Sequence, residues 1–187
     1  MNSLIKSFRY ALIPAIVTTL LLLIPLIAMQ FSQEVVWTLG DFIVGGSLLF
    51  GTGLTYSIIR GKYIQQWHRL AAGIALAAGL LLIWANLAVG IIGSENQPIN
   101  QLYFGVIAVG LVGTLLARFR PTGMAYTMVA MAAAQAIIST VALIGGFYQT
   151  PPTTATEILV FNGLFVTLFL LSALLFRTPG TQAKAIG

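Results

Sequence analysis

Polar side chains inside long apolar runs are the first candidates for chemistry in this sequence. Asp41 is the one acidic residue within such a run, and Asn86 and Asn162 are carboxamides within two others. An ionised carboxylate in hydrocarbon costs about 2.5–3.5 kcal/mol on insertion scales, so Asp41 is expected to face other helices or a wet cavity. It would act there as a proton or cation site, or as the counter-charge to a ligand. Alternatively, Asp41 reaches the membrane interface or caps a helix that starts after Gly40.

The depth of these residues predicts where they meet. We expect Asp41, Asn86 and Asn162 to converge on one polar pocket in the outer half of the membrane, with Glu95 at its rim. Each of the three lies within about two helical turns of the predicted outer surface, whereas Gln135 lies deeper. The alternative is that each carboxamide forms a separate interhelical hydrogen bond, typically worth about 0.6 kcal/mol.

The segment 90–98 is unusual for the end of an apolar run. It has glycines at 90 and 93, then Ser, Glu, Asn and Gln in succession, and ends at Pro98. This composition is typical of a helix C-terminus followed by a turn. The functional interpretation is an outward-facing recognition loop.

Several classes of chemistry are excluded by the residues that the chain lacks. There is no cysteine, and no HExxH, GxxxxGK[ST] or GxSxG motif. His68 is the single histidine and is interpreted as an interfacial residue, since the cytoplasmic loop beside it offers no further metal ligands. We therefore expect no catalytic residues, no metal site, no cofactor and no enzymatic activity.

The apolar runs define the elements that must position these side chains. The chain of 187 residues is 58% hydrophobic and 7% charged, with a mean hydropathy of +0.97. Crossing the hydrocarbon core takes about 20 helical residues, and backbone groups in lipid must pair within their own segment. The sequence predicts an all-α polytopic membrane helix bundle with six transmembrane helices. They cover about Ala11–Met29, Val36–Ile59, Leu70–Gly93, Leu102–Ala117, Gly123–Phe147 and Ile158–Phe176.

The charges give these helices an orientation. All nine basic residues lie before the first run, in alternate loops or after the last run, while the other loops carry Glu34, Glu95 and Glu157. The positive-inside rule therefore places both termini in the cytoplasm, an N-in/C-in topology. The basic residues are Lys6, Arg9, Arg60, Lys62, Arg69, Arg118, Arg120, Arg177 and Lys184.

The organisation is expected to be simple. Residues 1–177 form a single transmembrane domain, residues 178–187 form a short cytoplasmic tail, and the first run is retained as a helix rather than cleaved as a signal peptide. Small residues at every fourth position predict packing seams, because they let helices approach closely. These stripes are Ser47/Gly51/Thr55, Ala71/Ala75/Gly79, Gly113/Ala117 and Ala132/Ala136/Thr140.

Three stretches together carry a resemblance, namely Trp37–Tyr56, Trp84–Asn100 and Arg118–Ala125. The chain resembles an uncharacterised family of small multi-pass bacterial membrane proteins over roughly residues 36–177. The resemblance implies a bacterial inner (cytoplasmic) membrane protein and transfers no activity to any residue.

Three functions remain open from the sequence. The first is a small transport or channel-like protein with an outward-facing polar site. The second is a non-catalytic accessory or scaffold subunit of a membrane complex. An intramembrane enzyme or lipid binder is least supported. The expected partners are the lipid bilayer and either further copies of the chain or a larger membrane complex, with no nucleic acid.

Overall fold

The described part of the chain consists of helices joined by short connections. The computed structural model describes residues 2–94, 96–149 and 153–179, and for residues 2–9 the backbone only. Six α-helices occur in these ranges, and no strand does. They are α1 (Asn2–Phe31), α2 (Leu39–Arg60), α3 (Gln66–Ala88), α4 (Leu102–Ala117), α5 (Pro121–Ile144) and α6 (Ala155–Phe176).

All six helices are long and apolar enough to cross a membrane; α4 reaches that length together with the 3₁₀ turn Pro98–Gln101 before it. The all-α prediction with six spans is thereby confirmed. The chain divides into two compact units, unit 1 (Met1–Lys62) and unit 2 (Tyr63–Gly187). The single domain of residues 1–177 stays a prediction, and most of the predicted tail, residues 180–187, lies outside the described residues.

Unit 1 is a helical hairpin in which α1 packs against α2. A Cβ atom added at Gly53 would lie 3.1 Å from Pro14 Cβ, and one at Gly46 would lie 3.3 Å from Leu22 Cδ1. Glycines therefore let the two helices approach closely. The contact uses Gly46 and Gly53, not the predicted stripe, in which Ser47 and Thr55 are exposed.

Unit 2 is a bundle of four helices. α6 packs against both α3 and α5, and α5 packs against α4. A Cβ atom at Gly113 would lie 2.5 Å from Thr127 Cγ2, which shows that α4 and α5 are in van der Waals contact at this glycine. Gly113 thus fulfils its predicted packing role, whereas Ala136 and Thr140 of the predicted α5 stripe are exposed.

Candidate functional site

A buried polar cluster joins three helices of unit 2. Tyr103 in the first turn of α4 donates its hydroxyl to Asn162 Oδ1 at 3.0 Å. Gln135, near the middle of α5, donates from Nε2 to the same oxygen at 3.0 Å. Tyr103 and Asn162 are 1% exposed and Gln135 is 0% exposed. We call Tyr103, Gln135 and Asn162 the amide cluster.

The orientation of Asn162 follows from its own helix. Its Nδ2 donates to the carbonyl oxygen of Ile158, one turn earlier in α6, at 2.8 Å. Because the amide nitrogen is held against α6, the oxygen projects away from that helix toward α4 and α5. One short side chain thereby provides an acceptor for two neighbouring helices.

Three buried carboxamide oxygens accept no hydrogen bond from the described residues. These atoms are Gln135 Oε1, within the amide cluster, Asn86 Oδ1, on α3, and Gln65 Oε1, just before α3. Asn86 is 5% exposed. Leaving a buried acceptor unpaired costs about 1–3 kcal/mol. Each oxygen is therefore a place where a donor group would bind favourably.

The depth of Asn86 relative to the cluster follows from the packing of α3 on α6. Ser172 Oγ donates to the carbonyl oxygen of Ala71 at 2.9 Å, which sets the register of this antiparallel pair. Asn86 is on the same side of α3 as Ala71, about four turns further along. Counting from that hydrogen bond at 1.5 Å per residue, Asn86 lies about 7 Å beyond Asn162, toward the N-terminus of α6. We call this end of unit 2, where α3 ends and α6 begins, the outer end, after the predicted topology.

The connection after α3 is ordered by one asparagine. Asn100 Oδ1 accepts from the backbone N–H groups of Ile91 and Ile92, and Asn100 Nδ2 donates to the carbonyl oxygens of Ile92 and Ser94. Asn100 is buried, as are Ile91 and Ile92. The described part of the segment 90–98 is therefore folded onto the protein by its own side chain–backbone contacts.

A further hydrogen bond ties this connection to the residues that precede α6. The backbone N–H of Gly93 donates to Thr153 Oγ1 at 2.6 Å. Gly93 has a φ of 69°, in the left-handed region, and a Cβ atom there would lie 2.7 Å from Gln97 Cγ. Glycine is thus required at this position. Glu95, the predicted rim residue, lies outside the described residues.

Asp41 lies in unit 1, at the first turn of α2. Its Oδ2 accepts from the backbone N–H of Thr38 at 2.7 Å and from the Thr38 hydroxyl at 2.8 Å, while Thr38 Oγ1 accepts from the Asp41 N–H. This reciprocal pair is a capping box. The carboxylate is exposed and is engaged in starting its own helix. A pocket that combines Asp41 with Asn86 and Asn162 stays a prediction.

The opposite end of unit 2 holds a second group of buried side chains. The rings of Tyr63, His68 and Phe176 are in contact, with centroids 5.7–6.2 Å apart. His68 Nε2 lies 3.3 Å from the carbonyl oxygen of Thr178. His68 is therefore a packed residue of unit 2, buried rather than simply interfacial. Among the described residues, no group of three or more His, Cys, Asp or Glu side chains could hold a metal ion.

The sequence identified Asn162 and Asn86 as buried polar residues but missed the partners of Asn162. Tyr103 lies at the start of the fourth apolar run, where aromatic residues commonly occupy the membrane interface, yet it is buried and turned inward. Gln135 is expected to lie too deep to meet the pocket. A carboxamide in the middle of an apolar helix is nonetheless a signal, since burial there requires a polar partner.

No family model, curated protein or solved structure matches the chain. The six apolar helices fit a multi-pass membrane protein. Unit 2 contains a buried polar cluster that joins three helices and includes one unpaired acceptor.

Proposed function

We propose that this chain is a multi-pass protein of a bacterial inner membrane, with a transport or channel-like function and a solute site at the amide cluster. Both termini would face the cytoplasm, as the charge pattern predicts. The solute site would be reached from the outer end of unit 2.

The observation that carries this proposal is the unpaired oxygen of Gln135. A side chain placed only to hold helices together would gain from pairing both ends of its amide. In Gln135 the nitrogen is paired and the oxygen is buried without a donor. Asn86 Oδ1 is a second buried oxygen without a donor, at another depth. Two such oxygens support a site that binds something, in addition to a packing role.

The chemistry of the cluster argues against catalysis. Tyr103 is its one titratable group, and the Tyr103 hydroxyl donates to a neutral amide. General acid–base chemistry requires a group that can exchange a proton with a substrate at working pH. A carboxamide cannot do so, and we therefore propose no enzymatic activity.

One observation favours the second candidate, an accessory or scaffold subunit. The carboxylate of Asp41 is engaged in a helix cap, and Glu157 caps α6 in the same way. Both acids therefore have a structural role, and neither is evidence for a solute path. In this alternative the amide cluster serves to hold α4, α5 and α6 in register.

Water access to the cluster distinguishes the two candidates, and the absence of native cysteine makes it directly measurable. Single cysteines replace Gln135 and, separately, Asn86 in the full chain in proteoliposomes. Each variant is treated with a small hydrophilic thiol reagent. Ile137→Cys, on the exposed face of α5, is the matched control, because a thiol in lipid does not ionise and does not react. Ser94→Cys, in the connection after α3, is the positive control.

The transport proposal expects Gln135→Cys and Asn86→Cys to react much faster than Ile137→Cys. Unchanged reactivity in both variants, with Ser94→Cys labelled normally, would overturn it in favour of the scaffold function. Thermal unfolding of each variant checks that labelling reports the folded protein.

A further inference from the structure

We infer that the solute bound at the amide cluster is a small uncharged molecule that donates hydrogen bonds; this inference rests on the proposed transport function. The hydrogen bonds of the cluster show that the solute must be a donor, and the lack of charge shows that it must be neutral. The depths of the two unpaired oxygens show the order in which the solute would reach them.

Both polar atoms of the Asn162 side chain are already paired within the protein. Asn162 Oδ1 already accepts from both Tyr103 and Gln135. The Asn162 amide nitrogen is bound to a backbone carbonyl. From the depth of the cluster to the outer end of unit 2, the described buried polar side-chain atoms without a partner are the oxygens of Gln135 and Asn86. Because both are acceptors, a solute must present an O–H or N–H group to bind.

The charge of the site excludes ions. Tyr103, Gln135, Asn162 and Asn86 are all uncharged at neutral pH. An ion in a low-dielectric interior needs an opposite charge or a full shell of ligands to replace its water. Two carbonyl oxygens at different depths cannot supply that shell for a cation. An anion is excluded as well, because it requires hydrogen-bond donors and would be repelled by the partial negative charge of the two oxygens.

The two oxygens lie at different depths of unit 2. Gln135 Oε1 is at the depth of Asn162, and Asn86 is about 7 Å nearer the outer end by helix geometry. A small donor molecule that enters from the outer end would therefore reach the depth of Asn86 before that of Gln135. Water, glycerol and urea have this chemistry.

The test measures solute permeability of the full chain in proteoliposomes by stopped-flow light scattering. Water, glycerol and urea are compared with protein-free liposomes, and potassium chloride is measured as current across a planar bilayer. Gln135→Met keeps the length of the side chain and removes its oxygen acceptor. Ser172→Ala is the matched control, since it removes a buried polar group of α6 outside the cluster.

We expect permeability to at least one of the three uncharged solutes to exceed that of empty liposomes, with no potassium chloride current. Gln135→Met should lower the added permeability about tenfold, as expected for the loss of one hydrogen bond to the moving solute. Ser172→Ala should leave it within about twofold.

The remaining outcomes overturn different claims. An ion current without uncharged flux would overturn the solute class while keeping a transport function. Uncharged flux unaffected by Gln135→Met and by Asn86→Ala would overturn the site. Absence of any flux, combined with unreactive cysteines at both positions, would remove the transport function itself. The preference for uncharged solutes over ions is measured on the unmodified chain, so the solute class is tested even if a variant misfolds.

Discussion

Gln135 Nε2 donates to Asn162 Oδ1 at 3.0 Å, which links the middle of α5 to the second turn of α6. The bond connects two fully buried side chains, and a third helix joins it through Tyr103. Asn162 therefore takes part in both hydrogen bonds of the cluster, whereas each donor takes part in one. Substitutions of these residues should lower the stability by correspondingly different amounts.

Replacing Asn162 with Leu should destabilise the protein most. The substitution leaves the Tyr103 hydroxyl and the Gln135 amide buried without an acceptor, and we expect a loss of about 2 kcal/mol in the free energy of unfolding. Tyr103→Phe removes one donor, and the Asn162 oxygen still accepts from Gln135, so no buried polar group loses its last partner. The cost should therefore be nearer 0.6 kcal/mol, roughly the average for interhelical hydrogen bonds in membranes. Unfolding by dodecyl sulfate in mixed micelles measures both. Equal losses for the two variants would contradict the shared-acceptor arrangement.

Alanine scanning of glycines should separate close helix contacts from open faces. Gly113→Ala would bring Cβ within 2.5 Å of the rigid Thr127 side chain, and we expect a loss of about 1–3 kcal/mol. Gly163→Ala meets nothing within 4 Å and should be neutral or slightly stabilising, because alanine favours the helix. The same unfolding assay compares them. A Gly163→Ala loss as large as that of Gly113→Ala would contradict the α4–α5 contact.

Asn100 should control the order of the connection after α3. Asn100→Ala removes all four hydrogen bonds to residues 91–94, and amide hydrogens at 91 and 92 should then exchange faster. Asn100→Asp keeps the acceptor for those two N–H groups and loses the donors, so their protection should fall less. Hydrogen-exchange mass spectrometry of this segment distinguishes the variants. Identical exchange in both would contradict the role of the Asn100 oxygen.

Alkaline pH should act on Tyr63, which lies between α2 and α3, outside the apolar helices. Burial raises the pKa of the Tyr63 hydroxyl to about 12, above its ordinary value of 10.0. The folded state therefore holds this proton more tightly than the unfolded state does. Ionisation of Tyr63 therefore does not affect the stability below pH 10, and it lowers the stability as the pH rises from 10 through 12.

Tyr63→Phe is the matched variant for this effect. The Tyr63 hydroxyl is buried without a partner, so its removal should leave the stability at neutral pH unchanged or raise it. It should also reduce the loss of stability between pH 10 and 12. Thermal unfolding across this range, with phenolate absorbance as a second readout, measures both effects. A marked loss of stability at neutral pH would show that the hydroxyl has a partner.

Helix positions followed closely from the sequence because lipid imposes strict requirements on length and polarity. The predicted fourth span, Leu102–Ala117, coincides with α4. The fifth begins two residues earlier than predicted, at Pro121, since proline is well suited to the first helical turn. Composition alone decides such boundaries within a few residues.

The partners of the polar residues could not be predicted in the same way. Whether Asn162 meets Gln135 or Asn86 depends on the rotation of each helix about its axis and on which helices are neighbours. Apolar side chains cover nearly the whole circumference of these helices, so periodicity gives little information about the inward face. Tyr103 shows the difficulty, since residues near a helix end can equally well face lipid headgroups or the interior.

The two capping boxes bear on how the chain enters the membrane. Thr38 with Asp41, and Thr154 with Glu157, each complete the first turn of a helix within four consecutive residues. Neither turn depends on contacts with a distant part of the polypeptide. During synthesis, the N-terminal boundaries of α2 and α6 are therefore set by their own local sequence and not by the helices already made before them.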